Sequence, residues 1–410
     1  MKFPTATYRL QFRNGMTFDR ASALVPYLKT LGISHLYASP IFTATSESTH
    51  GYDVTDANEI DPAIGGRAGF DRMVETLKDA GLGLILDIVP NHMAASLETP
   101  WWKDVIEHGA KSRYARHFDI DWSRRLTLPV LGDDFEAVLE AGDLAVKPDP
   151  KTGKPSLAYF ESFFPLNPAT YDGREDEILK ISDKASLSQL HEQQPYRLMS
   201  WRDAARDLSY RRFFEVTGLA GVRVEDEAVF EDSHRLILEL VRSGAVQGLR
   251  LDHIDGLADP KGYLDRLRQA AGPDCYIVVE KILGEGEQLP ADWPVSGTTG
   301  YEFVAALSRA LVDGAKLKVL QSAYAGLGEK RVDAKKQLRA AKLLMASRNF
   351  EGEVTVLVKL AAKIAEQAGC PTTESELKDA LSEMLIAFPV YRTYGTPEGM
   401  RADDKALLDQ

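Results

Sequence analysis

Short apolar runs rich in β-branched and aromatic residues alternate with longer stretches whose apolar positions recur every three or four residues. That alternation predicts βα units around a parallel sheet. Positions 8–12, 33–39, 83–89, 248–252, 276–279 and 294–297 read as strands, each followed by polar or glycine-rich residues. Positions 18–31 and 69–80 read as helices, closed by Gly32 and Gly81 just past their ends. Between Val89 and Gly248 the alternation lapses over a stretch too long for a simple crossover, which predicts an inserted subdomain. From Tyr301 the chain turns Ala-, Leu- and Lys-rich. Positions 334–347 and 354–368 then read as helices, and 387–394 as the one extended run. The divisions expected are 1–92 and 246–300 as the parallel βα body, 93–245 as insertion and return helices, and 301–410 as a helical region.

Composition narrows the function classes. The chain has 410 residues, of which 44% are hydrophobic, enough for a sizeable core, and no apolar run approaches the ~20 residues of a membrane span. No signal-peptide pattern opens the sequence, so a cytoplasmic protein without membrane partners is the expectation. With 61 acidic against 49 basic residues the formal charge is -12, which disfavours nucleic acid. The two cysteines, Cys275 and Cys370, form no CxxC pair, and neither a metal site nor a cofactor is expected. No GxxxxGK[ST] loop, no strand-linked GxGxxG and no GxSxG elbow occurs, against phosphate-transfer, dinucleotide and serine-hydrolase chemistry.

In a parallel α/β sheet the loops after the strands converge on one rim, so strand ends are where chemistry is sought. The run Gly-Leu-Arg-Leu-Asp-His (248–253) puts Arg250 and Asp252 on one face by strand alternation. An arginine beside a carboxylate favours its charged form, which suits a nucleophile. Tyr-Ile-Val-Val-Glu (276–280) ends on Glu280 after an apolar run, where poor solvation would favour the protonated form. One anionic and one proton-bearing carboxyl are the components of retaining glycoside chemistry. A rim salt bridge beside a solvated strand end would leave the same residues in the sequence.

Ser-Thr-His-Gly-Tyr-Asp-Val (48–54) and Asp-Ile-Val-Pro-Asn-His (87–92) also follow strands. With Gly-Leu-Arg-Leu-Asp-His and Val-Glu-Lys-Ile-Leu (279–283), their order resembles that of the α-amylase superfamily of glycoside hydrolases and transglycosylases. Within it the chain is similar to the maltooligosyltrehalose synthase family, through Tyr-Arg-Leu-Gln-Phe (8–12), Ser-Arg-Tyr-Ala-Arg-His-Phe-Asp-Ile-Asp-Trp (112–122), Tyr-Arg-Arg-Phe-Phe (210–214), Gly-Thr-Thr-Gly-Tyr-Glu-Phe (297–303) and Phe-Pro-Val-Tyr-Arg-Thr-Tyr (388–394).

The resemblance implies an α/β fold, a (β/α)8 TIM-type barrel with an insertion after the third strand. It also implies Asp252 as nucleophile, Glu280 as general acid/base, Arg250 as the orienter of Asp252, His92 as a donor to the sugar, and Tyr52 as the platform beneath it. Asp53, Asp87 and His253 would bind substrate or brace the rim. Trp101 and Trp102 could stack on outer glucose units or fill a core. The implied substrate is a maltooligosaccharide or linear α-1,4-glucan, whose reducing-end linkage becomes α-1,1. The superfamily's third carboxylate, an aspartate after a histidine on the seventh strand, has no counterpart in the sequence. An incomplete barrel lacking its last two βα units, open to completion by a complementary C-terminal polypeptide, is therefore expected. An α-1,4-glucan hydrolase and an inactive glucan-binding fragment are the competing expectations.

Overall fold

The computed structural model describes residues 3–327, 333–396 and 399–409, which divide into two compact units: 1–280 with 291–299, and 281–290 with 300–410. The first is built on six parallel strands: β1 (Thr7–Leu10), β2 (His35–Ala38), β3 (Gly83–Ile88), β4 (Gly248–Leu251), β5 (Tyr276–Val279) and β6 (Gly297–Thr298), hydrogen-bonded in that order. β2 to β5 lie within the predicted runs, β1 begins one residue before its run, and β6 shares only Gly297 with its run. The connecting helices include α1 (Phe18–Thr30) and α2 (Gly66–Asp79), and Gly32 and Gly81 beyond them take the positive φ of +84° and +75° that only glycine adopts freely.

Burial explains why these segments order. Strands β3 and β4 are apolar almost throughout, as a sheet covered on both faces requires, and their charged residues come only near the C-terminal ends. Phe12, Phe18 and Phe70 have no exposed surface, and Phe18 stands 5.0 Å from Phe12 and 5.7 Å from Phe70, ring centroid to ring centroid, locking α1 and α2 under the rim. The register sets Arg9 beside Tyr37, and Arg250 beside both Asp87 and Val278. In-register neighbours in a parallel sheet point the same way, so the charged residues of separate strands gather on one face.

Between β3 and β4 the chain forms small sheets. Leu144–Pro148, Pro155–Tyr159 and Ser162–Pro165 make an antiparallel trio, Leu126–Leu131 pairs with Tyr196–Ser200, and His92–Ala94 pairs with Val216–Gly221, which in turn pairs with Arg212–Phe213. Trp102 is core here, buried and edge-on to Phe118 and Tyr210, with no face left for a sugar. Trp101 is half-buried and stacked on Tyr114.

The second unit is helical. Glu351–Gln367 and Glu374–Ala387 pack through Val354, Val358 and Ile386, and Thr373 with Glu376 forms a capping box ahead of the latter helix. The extended run expected at 387–394 instead ends that helix and continues as irregular chain; among the described residues no strand follows Thr298. An apolar run becomes a strand only where another strand offers it hydrogen bonds.

Phe70→Ala removes a fully enclosed ring from the aromatic cluster and should cost about 3–5 kcal/mol, read as a lower urea midpoint with unchanged slope.

Candidate active site

Arg250 stands at the centre. From β4 its Nη1 donates to Asp252 Oδ1 at 2.6 Å and to Asp87 Oδ1 at 2.8 Å, while Nη2 lies 3.1 Å from Glu280 Oε1. One guanidinium thus holds three carboxylates from three adjacent strand ends. The ladder delivers them: Asp252 N–H donates to Ile88 O and Glu280 N–H to Leu251 O, both at 2.9 Å, so the backbone stays in register to the residues that carry the charge.

Asp87 is fully buried and divides its two oxygens. Oδ1 meets Arg250; Oδ2 accepts from Arg9 Nη1 at 3.0 Å, Tyr37 at 3.0 Å and Tyr52 at 2.5 Å. Burial and the Asp87 charge push the Tyr37 and Tyr52 phenols well above their ordinary pKa, so both remain donors. Tyr52 is tethered by its hydroxyl to Asp87 on the rim.

The solvation contrast drawn from the sequence runs the other way. The Asp252 side chain is 11% exposed and that of Glu280 22%, because the longer glutamate reaches past the strand end. Burial, with Glu280 and Asp87 close by, pushes the Asp252 carboxyl up to about 7 against the pull of Arg250. Arg250 itself is held firmly charged by Asp87, Tyr37, Asp252 and Glu280 despite its burial.

The remaining residues surround this cluster. His253 sits in the left-handed region (φ 48°) and donates its backbone N–H to Glu280 Oε2 at 3.0 Å. Its ring lies 4.9 Å from both Phe213 and Phe214. His92 is buried against Phe213 at 4.6 Å, with Nδ1 3.3 Å from the Asn91 amide and Nε2 without a hydrogen bond. Burial lowers its pKa to about 3, so the ring is neutral, and an Asn91 amide donating to Nδ1 leaves the proton on Nε2. Asp53 stands apart from the arginine cluster. Its oxygens accept from the Thr45 and Ser48 hydroxyls, with His50 at 3.7 Å, bracing the loop that carries Tyr52. It also lines a cavity of about 800 Å³ between that loop and the small sheets, whose lining includes neither Asp252 nor Glu280.

Arg9, Tyr37, Asn91, Arg211 and the Phe213–Phe214 pair had no assigned role in the sequence. Arg211 donates to Asn91 Oδ1 at 2.7 Å and to Gly256 O at 3.3 Å, tying the loops that bear His92 and His253. Arg9, Arg211, Phe213 and Phe214 lay in the strings 8–12 and 210–214 and Asn91 in 87–92, which pointed to a family without indicating what each residue touches, and Tyr37 lay in none of these motifs. Among the described residues no cluster of His, Cys, Asp and Glu is arranged to hold a metal ion. No helix there is long and apolar enough to cross a membrane.

A parallel sheet with its polar side chains gathered on one strand-end rim defines a barrel-type α/β protein whose candidate chemistry sits on that rim. The chain belongs to the α-amylase family: the profile described as alpha amylase, catalytic domain, matches residues 22–280. A Mycobacterium tuberculosis protein bearing the name maltooligosyl trehalose synthase is 41% identical over 332 residues, 76% of this chain and 39% of that protein. The solved maltooligosyltrehalose synthase of Arthrobacter ramosus is 39% identical with a TM-score of 0.82, covering 95% of this chain and 48% of that one. The solved hypothetical maltooligosyl trehalose synthase of Sulfolobus tokodaii is 33% identical with a TM-score of 0.81, over 100% and 51%. The chain thus spans about half the length of these solved relatives.

The raised Asp252 carboxyl has a signed consequence. A folded state that binds this proton more tightly than the unfolded chain loses stability as pH rises from the unfolded value of about 4 to about 7. Asp252→Asn should therefore raise Tm little at pH 4.5 and most above pH 7; a gain independent of pH would show that Asp252 titrates at its ordinary value.

Proposed function

We infer that the chain carries out intramolecular transglycosylation of the maltooligosyltrehalose synthase type, turning the reducing-end α-1,4 linkage of a maltooligosaccharide into an α-1,1 linkage. The observation that carries this reading is the single buried guanidinium shared by Asp252 and Glu280, which holds two carboxyl groups from neighbouring strand ends together on one rim. Relatives of that name, similar over most of this chain, support it.

In this reading Asp252 attacks the anomeric carbon of the penultimate glucose and forms a glycosyl ester. The bond to the 4-oxygen of the terminal glucose breaks, and Glu280 supplies that oxygen with a proton. The released glucose turns, and its anomeric hydroxyl attacks the anomeric carbon of the glycosyl ester, displacing the Asp252 carboxylate as Glu280 takes back a proton. Two inversions give net retention, and Asp252 is regenerated. Tyr52 packs beneath the reacting ring, the Nε2–H of His92 donates to its hydroxyls, and Arg250 holds Asp252 in line. Asp87, Asp53 and His253 act on the rim, Asp87 through Arg250 and Tyr52, Asp53 through the loop, and His253 by donating its N–H to Glu280.

The reading retains the 93–245 insertion as the wall that keeps water from the ester, a parallel sheet that among the described residues stays open at β1 and β6, and a cytoplasmic setting. Exposed apolar side chains on the helical unit, among them Phe303, Leu311, Leu320 and Leu327, favour completion by further polypeptide.

Maltopentaose is the test. Reducing ends should fall without release of glucose, and Glu280→Gln or Asp252→Asn should each slow this by about 10²–10⁴-fold. A rise in reducing ends would mean hydrolysis instead. Binding without turnover, even after adding the remaining half of a relative, would leave a glucan-binding fragment. Because Asp252 must be ionised to attack, kcat/KM should fall as pH drops below about 7.

A further inference from the structure

Strand β1 approaches the cluster from the side of Asp87 opposite Arg250. Arg9 spreads its guanidinium among three partners, Nη1 donating to Asp87 Oδ2 at 3.0 Å and Nη2 to the Tyr52 hydroxyl at 2.9 Å and to Gln11 Oε1 at 3.2 Å. It lies over the Tyr37 ring at 4.8 Å, and Tyr37 in turn donates to the same Asp87 oxygen. Two residues on, Gln11 Nε2 donates to the His50 carbonyl at 2.8 Å, so strand β1 grips the loop carrying Tyr52 at two points. A surface arginine would spend its donors on water, whereas this one is about one-third exposed and salt-bridged to a carboxylate with no exposed surface.

The electrostatics follow from how Asp87 is shared. Arg250 Nη1 serves both Asp87 and Asp252, so whatever charge on Asp87 is met from elsewhere leaves more of Arg250 for Asp252. Arg9 meets it from the Oδ2 side.

We propose that Arg9 is a positioning residue of this site: it neutralises Asp87 so that Arg250 serves Asp252 and Glu280, and it fixes the ring of Tyr52 through its hydroxyl. The proposal rests on the roles given above to Asp252 and Tyr52 and adds a residue outside them. Asp252 is faced by Arg250, Glu280 and Asp87, and Arg9 reaches it only through Asp87 and Arg250. Two separable effects result. Loss of the positive charge leaves Arg250 as the only cation bonded to Asp87 and moves the Asp252 titration upward, whereas loss of the planar fork removes the Arg9 bond to Tyr52 and weakens substrate binding.

The titration of Asp252 can be followed without turnover, as the carboxyl band lost from the infrared spectrum on Asp252→Asn substitution, and compared with KM and kcat on maltopentaose. Arg9→Met should raise that midpoint by about half to one pH unit and KM by about tenfold. Arg9→Lys keeps the charge but not the fork, and should restore the midpoint while KM stays high. In an Asp87→Asn background, Arg9→Met should no longer move the midpoint. A midpoint unmoved by Arg9→Met, or moved equally with Asp87 removed, overturns the proposal. Should Arg9→Met fail to fold by circular dichroism, Arg9→Gln takes its place with the same two outcomes. The wrong product from maltopentaose would instead sink the transglycosylation reading and leave the titration result standing.

Discussion

A guanidinium buried inside a sheet is unstable unless its charge is met, and three carboxylates crowded at a rim are unstable unless something neutralises them. Arg250 and its partners Asp87, Asp252 and Glu280 satisfy both conditions at once. Removing Arg250 would leave three crowded carboxylates without their shared cation, so the cluster depends on that one residue. Its members come from three neighbouring strands, and each also holds something further out: Asp87 the hydroxyl of Tyr52, and Glu280 the backbone of His253. The rim loops take their positions from this one cation.

Around the polar centre lies an apolar collar that sequence patterns do not announce. Phe213 sits between the rings of His92 and His253, and Phe214 is held at φ 47° beside a His253 at φ 48°. Two adjacent loops with non-glycine residues in the left-handed region mark a rim over-determined by its packing, as expected where side chains must face a ligand. Arg211, in the same string as Phe213 and Phe214, bonds the loops that carry His92 and His253, which explains why an arginine stands in a string otherwise notable for its aromatics.

Much of the first unit was legible from periodicity. The strand ends bearing Asp87, Arg250, Asp252 and Glu280 lie where alternation and glycine punctuation put them, and α1 and α2 keep their glycine stops. The relative dryness of the two carboxyls was misread because an apolar run before Glu280 says nothing about how far its side chain reaches past the strand. Trp102 went into the core because aromatic content does not reveal which face of a short helix meets the small sheets. Asp53, matched within a motif, braces its own loop, since the hydroxyls of Thr45 and Ser48 lie nearer to it than any strand-end cation.

The amino-acid order alone determined what is local: which segments are strands, that Arg250 and Asp252 share a face because side chains alternate every second residue, and which motifs occur in sequence. Only the tertiary structure decided which strands are neighbours. Asp87 and Arg250, 163 residues apart, meet because β4 inserts beside β3 in a defined register. Arg9 joins them across two strands from the other side. Periodicity is a property of a few consecutive residues, whereas register depends on the burial of the whole sheet, and the charges of this site are arranged by register.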